Sequence, residues 1–197
     1  MIPKEVLLEY GATERTYKKG DFIFQKGNKA TKYYQIISGE IKMNNYNDDG
    51  KEFIQGIFKE GKSFGEPPLF IDRIYPSNAQ VIKEAIILEL PIESFDKLIL
   101  NPEICLEIVK TFSKRLYYKS LVATEMSYED PEHRILSVLD YFKTYTNKKK
   151  SNKLYKIDFT RQELASLTGL RVETVIRAIK SLENKGSIKI IDRKVYR

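Results

Sequence analysis

The hydrophobic period of this 197-residue chain changes once, at Pro91, and the change excludes any uniform architecture. From Lys18 to about Pro91 the apolar residues come in short β-rich runs: FIF at 22–24, YYQII at 33–37, EFIQGIF at 52–58 and AIILEL at 85–90. Turn signals (KKGD, QKGN, SGE, NDDGK, KEGK) separate them, and many short strands at close spacing predict an antiparallel sandwich or barrel. In the Asn47-Asp48-Asp49-Gly50 hairpin signature, Gly50 supplies the positive φ of a tight turn. Beyond Pro91 the period is helical, first in IESFDKLIL and then in a long stretch from Pro102 to about Tyr128, with Asn101 as cap and Pro102 in its first turn. Ile104, Ile108, Val109, Phe112, Leu116, Leu121 and Val122 form a stripe at three-to-four spacing, while Lys110, Lys114, Arg115 and Lys119 take other faces. Periodicity leaves open whether that stripe pairs with a second copy or packs on the chain's own β domain. Asp130-Pro131 caps the next helix, placing a hinge near Ser127–Asp130. The fold class is therefore α+β in three parts: a β domain over 1–100, a long helix and hinge over 101–129, and a C-terminal domain over 130–197.

The C-terminal domain holds the most specific motif, RQELASLTGLRVETVIRAIK at 161–180. Thr160 and Glu163 predict a capping box, Ala165 is small where a second helix crosses, and Gly169 falls at the turn. Leu164, Leu167, Leu170, Val175, Ile179 and Leu182 supply the contacts between the two helices of a helix-turn-helix. The second helix, about Arg171 to Glu183, presents Arg171, Glu173, Thr174, Arg177 and Lys180 outward. Arginine can donate twice to guanine, and glutamate can accept from the cytosine amine. NKGSIKIIDRKVYR follows as a wing, with Lys185, Lys189 and Arg193 placed for backbone phosphates; Thr160 and Gln162 complete the DNA-facing set.

Charge agrees with that motif. Residues 1–130 hold 18 Lys/Arg against 20 Asp/Glu, whereas 131–197 hold 16 against 7, so the formal net charge of +7 arises wholly in the last third. Such a block is the footprint of a polyanion-binding surface. One cysteine, Cys105, excludes an internal disulfide and any multi-cysteine cluster, and one histidine, His133, leaves no metal or nucleophile–base constellation; the expectation is no metal, no cofactor and no enzyme. No apolar stretch reaches membrane-spanning length and the N-terminus lacks a signal-peptide pattern, so the chain reads as cytoplasmic with no membrane partner.

The order and spacing of KKGDFIFQKGN, YYQIISGEIKM, FGE at 64–66, NPEI and TRQELASLTGLRVETVIRAIKSLE resemble the cyclic-AMP receptor protein/FNR (Crp/Fnr) family of bacterial transcription regulators across nearly the whole chain. The resemblance implies a cyclic-nucleotide-binding-like double-stranded β-helix (jelly-roll), a long dimerisation helix and a winged helix-turn-helix. It implies a homodimer on a roughly two-fold symmetric double-stranded DNA operator, with RNA polymerase as a further partner. The family's E-x-x-x-R pattern, which reads a G·C-containing core, falls on Glu173 and Arg177. Val172-Glu173-Thr174 stands closer to the FNR-like branch, and Ile176 departs from the polar residue often found there.

In cyclic-nucleotide-binding members the FGE turn gives its glutamate to the ribose, and an Arg-Ser or Arg-Thr pair grips the phosphate. Here Gly65, Glu66 and Ser77 match, but Pro76 stands in the arginine position and offers neither charge nor N–H. The adenine-facing threonine aligns with Lys119, followed by the expected Ser120; Arg73 and Lys83 are nearby cations that no spacing requires. Gly65 and Glu66 then read either as a tight turn with a capping carboxylate or as part of a pocket for some other small-molecule effector. The resulting expectation is a DNA-binding regulator that does not answer to cyclic AMP; the alternative is a cyclic-nucleotide-responsive signalling module whose basic region contacts a protein or membrane.

Overall fold

A computed structural model describes residues 2–126, 130–146 and 154–197, without the side chains of 118, 121–126 and 144–146. The hinge residues 127–129 and most of the basic loop after the fifth helix lie outside the described residues. The chain divides into two compact units, Met1–Arg115 and Leu116–Arg197.

The first unit opens with α1 (Lys4–Glu9), then β1 (Thr13–Tyr17), β2 (Phe22–Phe24), β3 (Lys32–Tyr46), β4 (Glu52–Lys59), β5 (Ser63–Phe64), a short α2 (Pro67–Phe70), β6 (Asn78–Pro91) and α3 (Ile92–Leu98). All pairings are antiparallel in the order β1-β6-β3-β4, with β2 added to β6 and β5 to β3. Two long strands, β3 and β6, carry the β-roll, and each bends at shifts of register between Ile36 and Ile41 so that it serves more than one face. Here the structure differs from the reading of SGE as a turn. β3 continues unbroken through Ser38-Gly39-Glu40, and Gly39 is a bulge with φ +91° whose missing Cβ lets β6 approach. The NDDGK turn forms as expected, with Asn47 Oδ1 accepting from the Lys51 N–H at 2.7 Å and Gly50 at φ +73°.

Inside the roll, Leu7, Ile36, Ile41, Ile87, Leu90 and Leu98 are among the residues packed into one apolar core. Several polar side chains enter that core with partners. Glu89 accepts from Tyr17 and, at 2.7 Å, from Lys32; Tyr33 donates to Gln35 at 2.9 Å, and Gln35 in turn donates to the Ile2 carbonyl. Burial pushes the phenols of Tyr17, Tyr33, Tyr34 and Tyr75 upward, that of Tyr34 to about 12. The unfolded phenol titrates near 10. Between roughly pH 10 and 12 the unfolded chain therefore releases protons that the folded chain keeps, and stability falls as pH rises, on the order of 1 kcal/mol per ring per pH unit. Alkaline titration is expected to show near-ultraviolet circular dichroism lost cooperatively in the same step in which the buried phenols of Tyr17, Tyr33, Tyr34 and Tyr75 ionise. Independent ionisation of all 13 tyrosines near pH 10 with the fold intact would contradict it.

α4 (Pro102–Met126) continues from the first unit into the second. Asn101 caps it, its Oδ1 accepting from the Glu103 N–H at 2.9 Å. Its stripe divides. Ile104, Ile108 and Phe112 pack on the roll's core, whereas Val109 and Leu116 remain exposed together with Leu106 and Tyr117. The side chains of Leu121 and Val122 lie outside the described residues.

The second unit continues with α5 (Pro131–Thr146), capped by Asp130 through the Glu132 N–H, then β7 (Lys156–Ile157), α6 (Arg161–Thr168), α7 (Val172–Asn184), β8 (Lys189–Ile191) and β9 (Lys194–Tyr196). Ile135, Leu139, Leu164, Val175, Ile179 and Leu182 are buried where the three helices meet, and the strands form a small sheet in the order β7-β9-β8. Arg197 ties the chain end to α5, donating from Nε and Nη2 to the two oxygens of Asp140 at 2.5 and 2.8 Å. Among the described residues no helix is long and apolar enough to cross a membrane.

Candidate nucleic-acid interface and the β-roll pocket

The helix-turn-helix is assembled by local chemistry. Thr160 Oγ1 accepts from the Glu163 N–H at 3.1 Å while Glu163 accepts from the Thr160 N–H at 2.7 Å, and Gly169 ends α6 at φ +69°, ψ +10°. Thr160 also donates its hydroxyl to Glu163, so its side chain is spent on the helix end. Gln162 beside it is exposed.

After this turn α7 starts at Arg171, whose backbone is extended and whose side chain makes no capping bond, leaving the guanidinium exposed. Val175, Ala178, Ile179 and Leu182 are buried on one face. At 100° per residue the opposite direction carries Glu173, Arg177 and Lys180, all exposed, with Thr174 half-buried to one side and Ile176 exposed on the other. A helix held by one apolar face thus offers an acceptor and two cations one turn apart, the set that base edges in a major groove can pair with.

The wing follows through Gly186 at φ +71°. Ile191 pairs with Lys194, so Asp192 and Arg193 alone make the hairpin loop; both have positive φ, +48° and +63°, as a type I′ turn requires, though neither is glycine. Lys189 and Arg193 are exposed at the wing, while the Lys185 ammonium is held 2.7 Å from Glu132 on α5, which lowers the Glu132 carboxyl and raises the Lys185 ammonium.

In the roll, Gly65 turns at φ +74°, and a Cβ there would stand 2.8 Å from the Phe24 ring and 3.3 Å from that of Tyr75. Those two rings stack face to face with centroids 3.6 Å apart, beside Tyr34 and Phe64. Glu66 is only 2% exposed, and its carboxylate is already taken: Arg115 Nη1 lies 3.1 Å from each of its oxygens. The same guanidinium donates from Nη2 to the Ser63 carbonyl at 2.6 Å and stands over the Phe58 ring. Ser77 is fully buried, and among the described residues neither its hydroxyl nor that of Tyr75 has a hydrogen-bond partner. A space of about 10 Å³ remains beside Glu66, lined by Tyr33, Ser63, Glu107, Ile108 and Thr111 among others, room for roughly one water. Of the five residues expected at the pocket, Gly65, Glu66 and Ser77 belong to the first unit. Lys119 and Ser120 belong to the second, where both are exposed and Ser120 donates to the Leu116 carbonyl within α4. Arg115, Phe24 and Tyr75 were not expected at the site. A signal for Arg115 exists: it extends the buried face at Ile108 and Phe112 by three residues, a position where a charge needs a partner. Among the described residues no group of three or more His, Cys, Asp or Glu could hold a metal ion.

Residues 14–101 match the family model described as cyclic nucleotide-binding domain, and residues 133–196 match the Crp-like helix-turn-helix domain. The chain belongs to the Crp/Fnr family. It is 29% identical over 174 residues to the cAMP-activated global transcriptional regulator CRP of Haemophilus influenzae, an alignment spanning 87% of this chain and 78% of that one. The transcriptional activator protein Anr of Pseudomonas protegens is 24% identical over 92% of this chain and 75% of its own. Among solved structures, the c-di-GMP-responsive global regulator CLP of Xanthomonas campestris superposes with a TM-score of 0.80 at 25% identity, covering 98% of this chain and 96% of that one. As a Crp/Fnr member with this helix-turn-helix, the chain is a DNA-binding transcription regulator.

Proposed function

We propose that this regulator acts as a homodimer, paired along the exposed Leu106, Val109, Leu116 and Tyr117 side of α4, on a two-fold symmetric operator, and that cyclic AMP is not its effector. The observation that carries the DNA-reading part is the composition of α7: through its first three turns the exposed residues opposite its buried face, Glu173, Arg177 and Lys180, are all charged. Arg177 donates to a guanine and Glu173 accepts from a cytosine amine. Arg171 and Thr174 flank them, and Lys180 with Gln162, Lys189, Arg193 and the α6 end set by Thr160 contacts phosphates. RNA polymerase is the further partner that follows from transcription control.

Selection of bound duplexes from a random DNA pool tests this reading. A pseudo-palindromic site with a G·C pair in each half is expected. Arg177→Ala should lose about 1–3 kcal/mol of discrimination at one base pair per half-site. Lys189→Ala should weaken all duplexes alike and flatten the salt slope by about one. An Arg177→Ala protein that selects the wild-type site with the wild-type preference would refute the assignment.

Three features support independence from cyclic AMP. Pro76 replaces the phosphate-gripping arginine, Arg115 already occupies the ribose-side carboxylate, and the Phe24–Tyr75 stack closes on Gly65. Calorimetry with cyclic AMP and cyclic GMP is expected to show no binding in the micromolar range, and operator affinity should be the same with and without either nucleotide. Sub-micromolar binding of one of them would restore the cyclic-nucleotide-responsive alternative.

A further inference from the structure

Ile176 is the one apolar side chain exposed on α7 among the described residues, at 51%, and the packing of the domain makes no use of it. The helix is held by Val175, Ala178, Ile179 and Leu182; Ile176 is not on their face. Helix propensity does not ask for it either, since a β-branched residue on an exposed helix surface is poorer than the Lys, Glu or Gln that usually fills such a place. A single exposed hydrophobe would need no account elsewhere on a protein. Its neighbours supply one here: Glu173 lies one turn before it, Arg177 directly after it and Lys180 one turn on, all exposed. Ile176 sits roughly 60° around the helix from Glu173, on the flank of that charged face.

On the proposed reading of α7, this face meets base edges. The major-groove edges of the four bases are donors and acceptors with one exception, the C5 methyl of thymine. An isoleucine can gain nothing from the polar edges and costs them their water. We propose that Ile176 is a specificity-determining residue that recognises the thymine methyl of a pair adjacent to the G·C pair bonded by Arg177. The adjacency follows from reach, because consecutive residues lie about 1.5 Å apart in rise and 100° apart in direction, which sets the Ile176 and Arg177 side chains roughly a base-pair step or so from each other.

This inference rests on the DNA-reading assignment, and its test is built to fail separately. In the duplex selected by the wild-type protein, each thymine of one half-site is replaced singly by deoxyuridine, which removes the methyl and keeps the pairing. Burying one methyl against an apolar side chain corresponds to roughly a fourfold change in Kd. The wild-type protein is expected to lose about that much at one thymine next to the Arg177-dependent pair and to be indifferent at the others. Ile176→Ser, a change at a half-exposed position, should bind thymine and uracil duplexes equally. The inference falls if no uracil position weakens the wild type, if the selected half-site has no thymine next to that pair, or if Ile176→Ser discriminates as the wild type does. Should the serine variant not fold, the wild-type uracil scan decides alone. Absence of any sequence-selective binding would remove the DNA-reading assignment itself; selective binding without a methyl effect removes only the role of Ile176.

Discussion

Gly39→Ala is expected to destabilise the β-roll severely, by about 3–5 kcal/mol out of the 5–15 that holds a typical domain together. Two independent penalties meet at this residue. Its φ of +91° lies where an L side chain is strained, and an added Cβ would stand 2.2 Å from the Glu84 carbonyl oxygen and 2.5 Å from the Ala85 Cα. Both obstacles are backbone, so no rotamer change relieves them; β3 and β6 must part between the Ser38–Ile86 and Glu40–Lys83 pairs. Those are the strands on which every other strand of the roll depends. Gly50→Ala provides the control: it shares a positive φ, +73°, but has no atom within 4 Å of the new Cβ and should cost only about 1 kcal/mol. Urea unfolding of the two variants measures the difference, and a Gly39→Ala protein with a midpoint close to that of Gly50→Ala would show that the strands can part cheaply.

The second large effect is expected at Arg115. Truncation to alanine leaves the Glu66 carboxylate 2% exposed with its guanidinium gone, and orphaning a buried charge of this kind costs about 3–5 kcal/mol. Arg115→Lys should recover only part, because an ammonium cannot span Glu66 and the Ser63 carbonyl together as Nη1 and Nη2 do. The informative variant is the double one, Glu66→Leu with Arg115→Leu, which removes both charges and is expected to be far less destabilised than either single change. Denaturant midpoints of the four proteins give the coupling directly; simple additivity would mean that the pair contributes nothing. The same series bears on the effector, since a ligand that needs the Glu66 carboxylate must share or compete for it with an arginine that the chain itself supplies.

What could be read from the sequence was what local chemistry decides. The capping box at Thr160 and Glu163, the αL residue Gly169 and the Asn47–Gly50 turn each depend on three to five consecutive residues, and each forms as read. The SGE segment shows the limit of the same reasoning. A glycine between β-rich runs marks a turn or a bulge alike, and only the partner strand tells which; at Gly39 it is the nearness of Ala85 that decides. The Glu66–Arg115 pair was out of reach for a related reason. Forty-nine residues separate its members, and their meeting depends on how α4 lies on the roll, which no spacing rule specifies. The proposed independence from cyclic AMP has one support that is legible in the sequence, Pro76 at the position of the family's arginine, and one that is not, since nothing local says that Phe24 will stack on Tyr75 against Gly65. The stripe on α4 was ambiguous in sequence because it is two faces rather than one, Ile104, Ile108 and Phe112 turned to the roll and Val109 and Leu116 turned away.

The wing tip has a bearing on how this protein would evolve. Asp192 and Arg193 occupy backbone conformations that glycine would take without strain, and at Arg193 that strain is carried by an exposed cation, which on the proposed reading meets a phosphate. Pressure for heat resistance alone would favour glycine at 193 and shed the cation; pressure for operator occupancy would keep the arginine and tolerate a weaker hairpin. Two lineages under those opposed demands should diverge first at this two-residue loop, while the buried face of α7 stays the same in both.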